Sequence, residues 1–469
     1  MKAFDSLTLK YWIDENEDFL TSGRIQKIQQ PTRRDFVFSI RQNGETKKLY
    51  LNINPQYYHV CFMSKENETK RLIEIPQKPP MFCMLLRKYL ENSVISKVSQ
   101  PPFERILELY IETYNELSEK IYLCLAVELM GKHSNIILYN YDTNIILGCA
   151  HNVGAEKSRE RELAGTLPYV YPPNPPKEWY TTENSFSNNP QNINNSVDDY
   201  FAQIIYNDKF NSAKENYKQT ITRKLKKDKN SLNKMEYKLS KENDSDKYRL
   251  FGDLIMANLY NNKDYSKSIK VFDYENEKEI SINLDDTKTL KENANAFYKL
   301  YNKGKHSIEK LTELTTELRA EIDYLEHILY SIEIASTIDE LSQIKFEIEP
   351  EKAPKQDKKA VMPEEIEIEG YKVFIGKNNR QNDYIVSKLS KDEDFWFHTK
   401  DCAGSHVLLK CENPSEKLIF ECAKLAKKYS KGSNSSKVGV IYTQRKNLKK
   451  PPKANLGYVI YRGEREIVV

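Results

Sequence analysis

Over the first third of the chain, apolar and polar residues alternate in short runs. Phe36 to Arg41, Lys48 to Ile53 and Ile106 to Ile111 combine that alternation with β-branched and aromatic residue types, which predicts strands half buried against a core. Met81 to Leu90 follows Pro79-Pro80 and predicts a helix instead, since proline is favoured where a helix begins. Residues 1–176 therefore predict an α+β domain, closed by Tyr171-Pro172-Pro173-Asn174-Pro175-Pro176. Residues 177–195, rich in Asn from Asn184 onward, predict a linker by composition.

The period then changes. Ser196 with Asp199 resembles a helix start, and no Gly or Pro follows until Gly252. Ile221, Leu225, Asp228, Leu232, Met235 and Leu239 step by four and three, a heptad seam with one polar interruption. A cleaner seam runs through Ile308, Leu311, Thr315, Leu318, Ile322, Leu325, Leu329 and Ile332. Two such helices on one chain pair most simply as an antiparallel coiled coil over 196–345. At a rise of about 1.5 Å per residue it would reach on the order of 60 to 75 Å, enough to bridge distant surfaces of a large partner. Its middle insert, about 246–288, contains a predicted strand pair, Ser268 to Tyr274 and Glu279 to Leu284. The alternative, a zipper between two chains, has no use for a strand pair at its midpoint. A charged linker follows at 346–363, then a second α+β domain over 364–469. Its strand candidates are Lys372 to Ile375, Phe395 to Thr399, Val407 to Lys410 and Val438 to Thr443. Asn413-Pro414-Ser415-Glu416 opens its helix, with Pro414 at the first helical position and Glu416 as partner of the cap.

Composition adds where charge resides. The 72 Lys+Arg nearly cancel the 68 Asp+Glu, for a net charge of +4 in 469 residues. From Lys424 to Lys453, however, ten basic residues meet no acidic one, and from Lys214 to Lys241 ten meet only Glu215, Asp228 and Glu236. Such clusters attract polyanions even on a nearly neutral chain. The seven cysteines, Cys61, Cys83, Cys124, Cys149, Cys402, Cys411 and Cys422, form no CxxC pair and suit a reducing compartment. Acidic residues from Asp5 to Asp18 argue against a signal peptide, and no apolar run approaches a membrane span, so a cytoplasmic protein without membrane attachment is expected.

Candidate chemistry is polar and cationic. In Val127-Glu128-Leu129-Met130-Gly131-Lys132-His133-Ser134-Asn135-Ile136 a tight turn between strand-like runs offers donors suited to phosphate and sugar, and Gly131 permits close backbone approach. In the last hundred residues, aromatic side chains, amides and the acid-free basic run combine as expected for contact with an RNA backbone and unstacked bases. Trp396 could face the core or a base. His398, Cys402 and His406 recur every four residues, which converges metal ligands only on a helix, and Gly404 with strand-like flanks opposes one. No nucleophile elbow, HExxH, Walker loop or dinucleotide fingerprint occurs, so neither an enzyme nor a cofactor is expected.

The string Glu128-Leu129-Met130-Gly131-Lys132-His133-Ser134-Asn135 resembles the signature of the NFACT N-terminal domain. Gly376-Lys377-Asn378-Asn379-Arg380-Gln381-Asn382-Asp383, Phe395-Trp396-Phe397-His398-Thr399-Lys400-Asp401, Gly404-Ser405-His406-Val407 and Asn434-Ser435-Ser436-Lys437 resemble, in order, the hallmarks of the NFACT RNA-binding domain. The resemblance covers nearly the whole chain. It implies an N-terminal domain like that of formamidopyrimidine-DNA glycosylases, but the N-terminal proline nucleophile of those enzymes is replaced here by Met1-Lys2-Ala3-Phe4. It further implies an adaptor in ribosome quality control. Such a factor binds obstructed large ribosomal subunits, through rRNA and peptidyl-tRNA, as a monomer. It recruits charged tRNA, typically for alanine in bacteria, for untemplated C-terminal tailing, while the ribosome performs peptidyl transfer.

By the same resemblance, Glu104, Arg105, Glu128, Met130, Gly131, Lys132, His133, Ser134 and Asn135 are implied tRNA or RNA contacts in the N-terminal domain. In the C-terminal domain they are Asn379, Arg380, His398, Lys400, Asp401, Ser405, His406, Ser436 and Lys437. Two departures stand out. The family's Asp-Arg pair falls on Glu104-Arg105, which keeps the charge on a longer side chain, and only about twenty residues separate Pro176 from Ser196, too few for the family's helix-hairpin-helix unit. A surface adhesin, since some relatives carry names for fibronectin binding, and a general RNA-binding protein without ribosomal attachment are the alternatives.

Overall fold

The computed structural model describes residues 2–114, 118–156, 158, 160–173, 175–242, 245–261, 263–273, 277–349, 362–452 and 454–469. The chain divides into two compact units, Met1–Asn211 and Ser212–Val469.

In the first unit, helix α1 (Ser6–Leu20) precedes strands β1 (Arg24–Gln29), β2 (Asp35–Gln42), β3 (Glu45–Asn52) and β4 (His59–Met63). Short α2 (Lys65–Lys70) and α3 (Met81–Leu90) lead to β5 (Val94–Ser99), β6 (Ile106–Tyr114), β7 (Lys120–Glu128), β8 (Asn135–Asn140) and β9 (Ile146–Cys149). All nine strands form one antiparallel sheet in the order β4-β3-β2-β1-β5-β6-β7-β8-β9. An internal repeat explains this order. The chain leaves α1 through Ser22 and α3 through Asn92, both at φ +69°. Ser22 and Ile25 donate from their backbone to Ile95 and Ser93 at 2.7 and 3.0 Å, and Asn92 and Ile95 return the pattern to Ile25 and Gly23 at the same distances. Each strand bulges at the same point, between Ile25 and Lys27 and between Ile95 and Lys97. Two helix-then-meander halves are thus joined back to back at β1 and β5.

Helix α1 was not anticipated, because five of its residues from Asp14 to Asp18 are polar or acidic. It forms because the Asp5 side chain caps it, accepting from Thr8 N at 2.8 Å, while Leu9, Trp12, Ile13 and Leu20 enter the core. Fully burying each such side chain contributes about 1.5 to 3 kcal/mol.

Residues 177–195, expected to be a linker, pack against this unit instead. Trp179 meets Phe103 edge-on, Tyr180 N donates to Ser6 Oγ at 2.8 Å, and Phe186 is buried. Helix α4 (Ile193–Glu242) starts at Ile193 and not Ser196, because Asn194 is bound to the core. Its side chain accepts from Trp12 Nε1 at 3.0 Å and from Phe62 N at 2.7 Å. One turn on, Asp198 pairs with fully buried Arg71 at 2.5 Å, a contact whose loss would strand a charge without solvent.

The second unit begins within α4. It continues through α5 (Asp246–Ala257), β10 (Ser268–Asp273), β11 (Lys278–Asn283), α6 (Leu290–Ile334) and α7 (Ile338–Ile348). The C-terminal domain comprises β12 (Glu364–Ile368), β13 (Tyr371–Ile375), α8 (Asn379–Tyr384), β14 (Phe395–Thr399), β15 (Val407–Leu409), α9 (Glu416–Lys428), β16 (Gly439–Gln444), β17 (Leu448–Lys449), β18 (Ile460–Tyr461) and β19 (Arg465–Val468). Helices α4 and α6 run antiparallel, as the pairs Lys218–Glu333, Lys229–Glu326 and Glu236–Arg319 at 3.8, 2.5 and 2.6 Å require, the partner on α6 falling as the residue on α4 rises. Exposed pairs of this kind specify register more than they stabilise. The seam is driest toward the C-terminal domain, with Ile221, Leu225, Ile322, Leu325 and Ile332 buried. The strand pair β10–β11 caps the far end, while Tyr274 lies outside the described residues.

Helix α7 runs through Ile348, so the segment expected as a linker from residue 346 begins as helix; residues 350–361 lie outside the described residues, as do Asn174 and Lys453. The C-terminal sheet has the order β12-β13-β15-β14-β16-β19. Its period of two sends Val373, Ile375, Phe397, Val407, Leu409 and Val440 to one face, under α9, and Phe374, Trp396, Leu408 and Ile441 to the other. Trp396 is therefore a core residue, 1% exposed. The cap of α9 is Ser415, whose side chain accepts from Leu418 N, and not Asn413; Pro414 precedes the helix.

Candidate nucleic-acid interface

The first unit holds a cleft of about 1230 Å³. It gathers Arg33 and Arg34 from the β1–β2 turn, Met81 and Leu85 from α3, Arg105 ahead of β6, and Lys132 and His133 from the turn after β7. Among the described residues that line it, Glu160 is the one carboxylate, so this lining is strongly cationic.

The signature turn is built by the residues it does not display. Gly131 holds φ +62°, which only glycine adopts freely. Ser134 is buried, and its Oγ accepts from Met130 N at 2.8 Å. Asn135, also buried, donates Nδ2 to His151 O at 2.8 Å and accepts from His151 N at 3.0 Å, pinning the segment after β9 to the same wall. Lys132 and His133 are left exposed at the rim, with half-buried Met130 beside them. Glu128 is fully buried: both its oxygens accept from Arg161, and Oε1 also accepts from Tyr169 Oη at 3.1 Å. Glu128 therefore orders the wall and does not face solvent, contrary to its expected role as a contact.

Arg105 is held ready. Its guanidinium lies 5.7 Å from the ring centres of both Tyr58 and Tyr180, and Nη1 donates to Tyr58 Oη at 2.9 Å. Cation–π contact with two tyrosines and the hydrogen bond to one of them hold the guanidinium in place while leaving it at the cleft. Its neighbour Glu104 does not line the cleft. It is 8% exposed, and burial pushes its carboxyl up from the ordinary carboxylate range. Of the expected pair, only Arg105 can meet a ligand directly. Arg33, Arg34 and Met81, the last 91% exposed, were not singled out from sequence; the Arg33-Arg34 pair just ahead of the predicted strand Phe36 to Arg41 was the available signal.

In the C-terminal domain the motif residues divide more sharply. Asn379 and Arg380 contact helix α7: Asn379 Nδ2 donates to Glu347 Oε2 at 3.0 Å, and Arg380 lies 5.6 Å from the Phe346 ring. Tyr324 Oη of α6 donates to the same Glu347 oxygen at 2.9 Å, and Asn378 Nδ2 donates to Gln343 at 2.9 Å. Burial raises the Glu347 carboxyl, partly offset by those donors. His398 stacks 5.7 Å from His327 of α6, with Trp396 and His406 packed around it. Ser405 and His406 are buried, at 2% and 4% exposure. Trp396 Nε1, His398 Nε2, Ser405 Oγ and His406 Nδ1 are buried without a hydrogen-bond partner among the described residues. The face carrying these motifs is thus occupied by α6 and α7, which corrects the expectation that Asn379, His398, Ser405 and His406 meet RNA. Among the described residues, no three His, Cys, Asp or Glu side chains converge as metal ligands.

Lys400, Asp401, Ser436 and Lys437 remain exposed. Lys400 pairs with Glu466 at 2.7 Å, and Asp401 takes φ +55° in the turn after β14.

Comparison with known proteins supplies the relationships. The model of the NFACT N-terminal and middle domains matches residues 5–189 and 177–364, and that of the NFACT protein RNA binding domain matches residues 363–466. The chain is 28% identical to the Rqc2 homolog RqcH of Bacillus subtilis over an alignment of 563 positions, covering 100% of this chain and 98% of that protein. It is 27% identical to the Rqc2 homolog RqcH of Streptococcus pneumoniae, with the same coverage. Among solved structures, the C-terminal part of the fibronectin/fibrinogen-binding protein from Streptococcus suis is 27% identical, covering 55% of this chain and 94% of that one at a TM-score of 0.44. No helix among the described residues is long and apolar enough to cross a membrane.

Proposed function

Since the chain belongs to the NFACT family, we propose that it is a ribosome quality control adaptor, binding obstructed large ribosomal subunits and engaging tRNA through the cleft of its first unit. The observation that carries this is the meeting, in one cationic cleft, of Arg33 and Arg34 with Arg105 and the signature turn, the last two set side by side by the β6–β7 hairpin, where Leu129 N donates to Arg105 O at 2.9 Å. A planar guanidinium clamped between tyrosines, beside exposed Lys132 and His133, suits phosphate and base edges better than any neutral ligand. The volume also exceeds what one nucleotide needs.

In this role the protein contributes position, and peptidyl transfer belongs to ribosomal RNA. Charged tRNA, alanyl in the first instance, is held for untemplated extension of the stalled chain. A cytoplasmic location and action as a single copy on the subunit go with that role. The buried place of Glu104 is compatible with a longer carboxylate there, because it does not line the cleft.

The test joins sedimentation with a tailing assay. The tagged protein is expected to travel with large subunits and to copurify with tRNA. Arg105→Ala is expected to reduce tRNA recovery and tail addition by at least about tenfold, with its thermal unfolding unchanged within a few degrees. Normal tailing by that variant removes Arg105 from the site. Absence of the wild-type protein from subunit fractions, together with its capture on intact cell surfaces, favours an adhesin.

A further inference from the structure

With the motif face of the C-terminal domain covered by α6 and α7, the acid-free basic run needs another outlet. Helix α9 provides it. Leu418, Cys422, Ala423 and Ala426 point into the core, so Phe420, Lys424, Lys427 and Lys428, at helical spacing, share the outward side. They border a groove of about 450 Å³ whose other wall is Ser433, Asn434 and Val469. Phe420 is 38% exposed, with the Lys424 ammonium 4.6 Å from its ring centre. Lys427 ties the two walls together, donating to Ser436 O at 3.3 Å and Val469 O at 2.9 Å. Lys428 has no ion pair among the described residues, and Ser433 to Lys437 are all exposed. Lys424 meets Glu421 at 2.8 Å, an exposed pair weak enough to yield to a phosphate.

We propose that this groove, formed by Phe420, Lys424 and Lys428 of α9 and the loop from Ser433 to Lys437, is a binding site for single-stranded RNA. One unstacked base rests on Phe420. Adjacent phosphates are met by Lys424, Lys428 and Lys437, and the sugar edge by Ser433 and Asn434. Charge complementarity selects a polyanion. The exposed ring beside the ammonium selects one with free bases, since a paired duplex offers its phosphates but keeps its base faces stacked. The site rests on the RNA-binding role proposed above and gives that role a location in the second unit, independent of the Arg105 cleft.

Fluorescence anisotropy of the full chain with a labelled RNA of about ten nucleotides, free of self-complementarity, tests it. Phe420→Ala is expected to weaken binding about fivefold or more, and Phe420→Tyr to retain it. Lys428→Ala is expected to reduce the salt dependence by about 0.7 in logarithmic slope. Circular dichroism checks that both variants keep their helix content. Wild-type binding with both alanine variants equally tight overturns the groove while leaving the RNA-binding role intact. No wild-type binding in dilute buffer overturns both. A polyglutamate peptide that competes at equal charge, with Phe420→Ala unaffected, identifies a plain cation patch and also overturns the proposal.

Discussion

His398 and His406 read as RNA contacts in the sequence, yet the fold withdraws them from water together with His327 of α6. Burial pushes His327 down to about 4 and His398 down to about 3, with Glu326 and Lys431 acting on His327 in opposite senses and His327 itself opposing a charge on His398. A histidine whose proton affinity is lower folded than unfolded lets the unfolded state bind more protons between its two pKa values. Stability from such a group is complete above about 6.5 and is lost as the pH falls toward about 4 and about 3. Glu347 works the other way: its raised carboxyl favours the fold below the ordinary carboxylate range and loses that advantage at higher pH. The melting temperature of the second unit is therefore expected to drop steadily from pH 6.5 to pH 4, and His398→Phe to flatten that slope. Calorimetry across the range checks this; an unchanged slope in the variant contradicts the assignment. Arg105 shows the opposite fate, a charge that the fold keeps at an open cleft by placing two tyrosine rings around it.

Helix α6 shows how much of an element is local. Thr289 caps it, accepting from Glu292 N at 3.3 Å, while the Glu292 carboxylate accepts from Thr289 N at 2.8 Å, a reciprocal box written in four consecutive residues. Thr289→Ala should cost about 1 kcal/mol and expose the first amides of α6, Leu290 to Asn293, to faster hydrogen exchange. Retained protection there would show that the strand pair beneath, and not the cap, holds the helix start. The heptad seams of α4 and α6 were legible for a similar reason: a period of three and four is a property of spacing alone. Helix α1 and the packing of residues 177–195 were not legible. Their few apolar residues, such as Trp12 and Phe186, acquire meaning only from the sheet they cover. The two halves of the first unit share, besides backbone turns, bulges and reciprocal hydrogen bonds, a spaced string in which Leu20, Ile25, Lys27, Ile28, Gln30 and Pro31 recur as Leu90, Ile95, Lys97, Val98, Gln100 and Pro101.

For the whole molecule, two cationic sites on two compact units imply binding governed by phosphate neutralisation. Affinity for isolated large subunits is expected to fall on the order of tenfold to a hundredfold between about 50 and about 200 mM salt, as for three or four phosphate contacts. Equilibrium binding at stepped salt measures the slope, and a flat response contradicts phosphate contact at either site. The order of domains, the paired long helices, the four central strands of the last domain's sheet (β13, β14, β15 and β16, but not its edge strands β12 and β19) and its family were determined by the sequence itself, because periodicity and short motifs are local along the chain. Which motif residues face solvent was decided only in three dimensions. Asn379, His398 and His406 lie under α6 and α7, Glu128 is closed off by Arg161, and Arg33, Arg105 and Lys132 converge from separate turns. Exposure depends on what packs against a residue from elsewhere in the chain, and no spacing between neighbours encodes that.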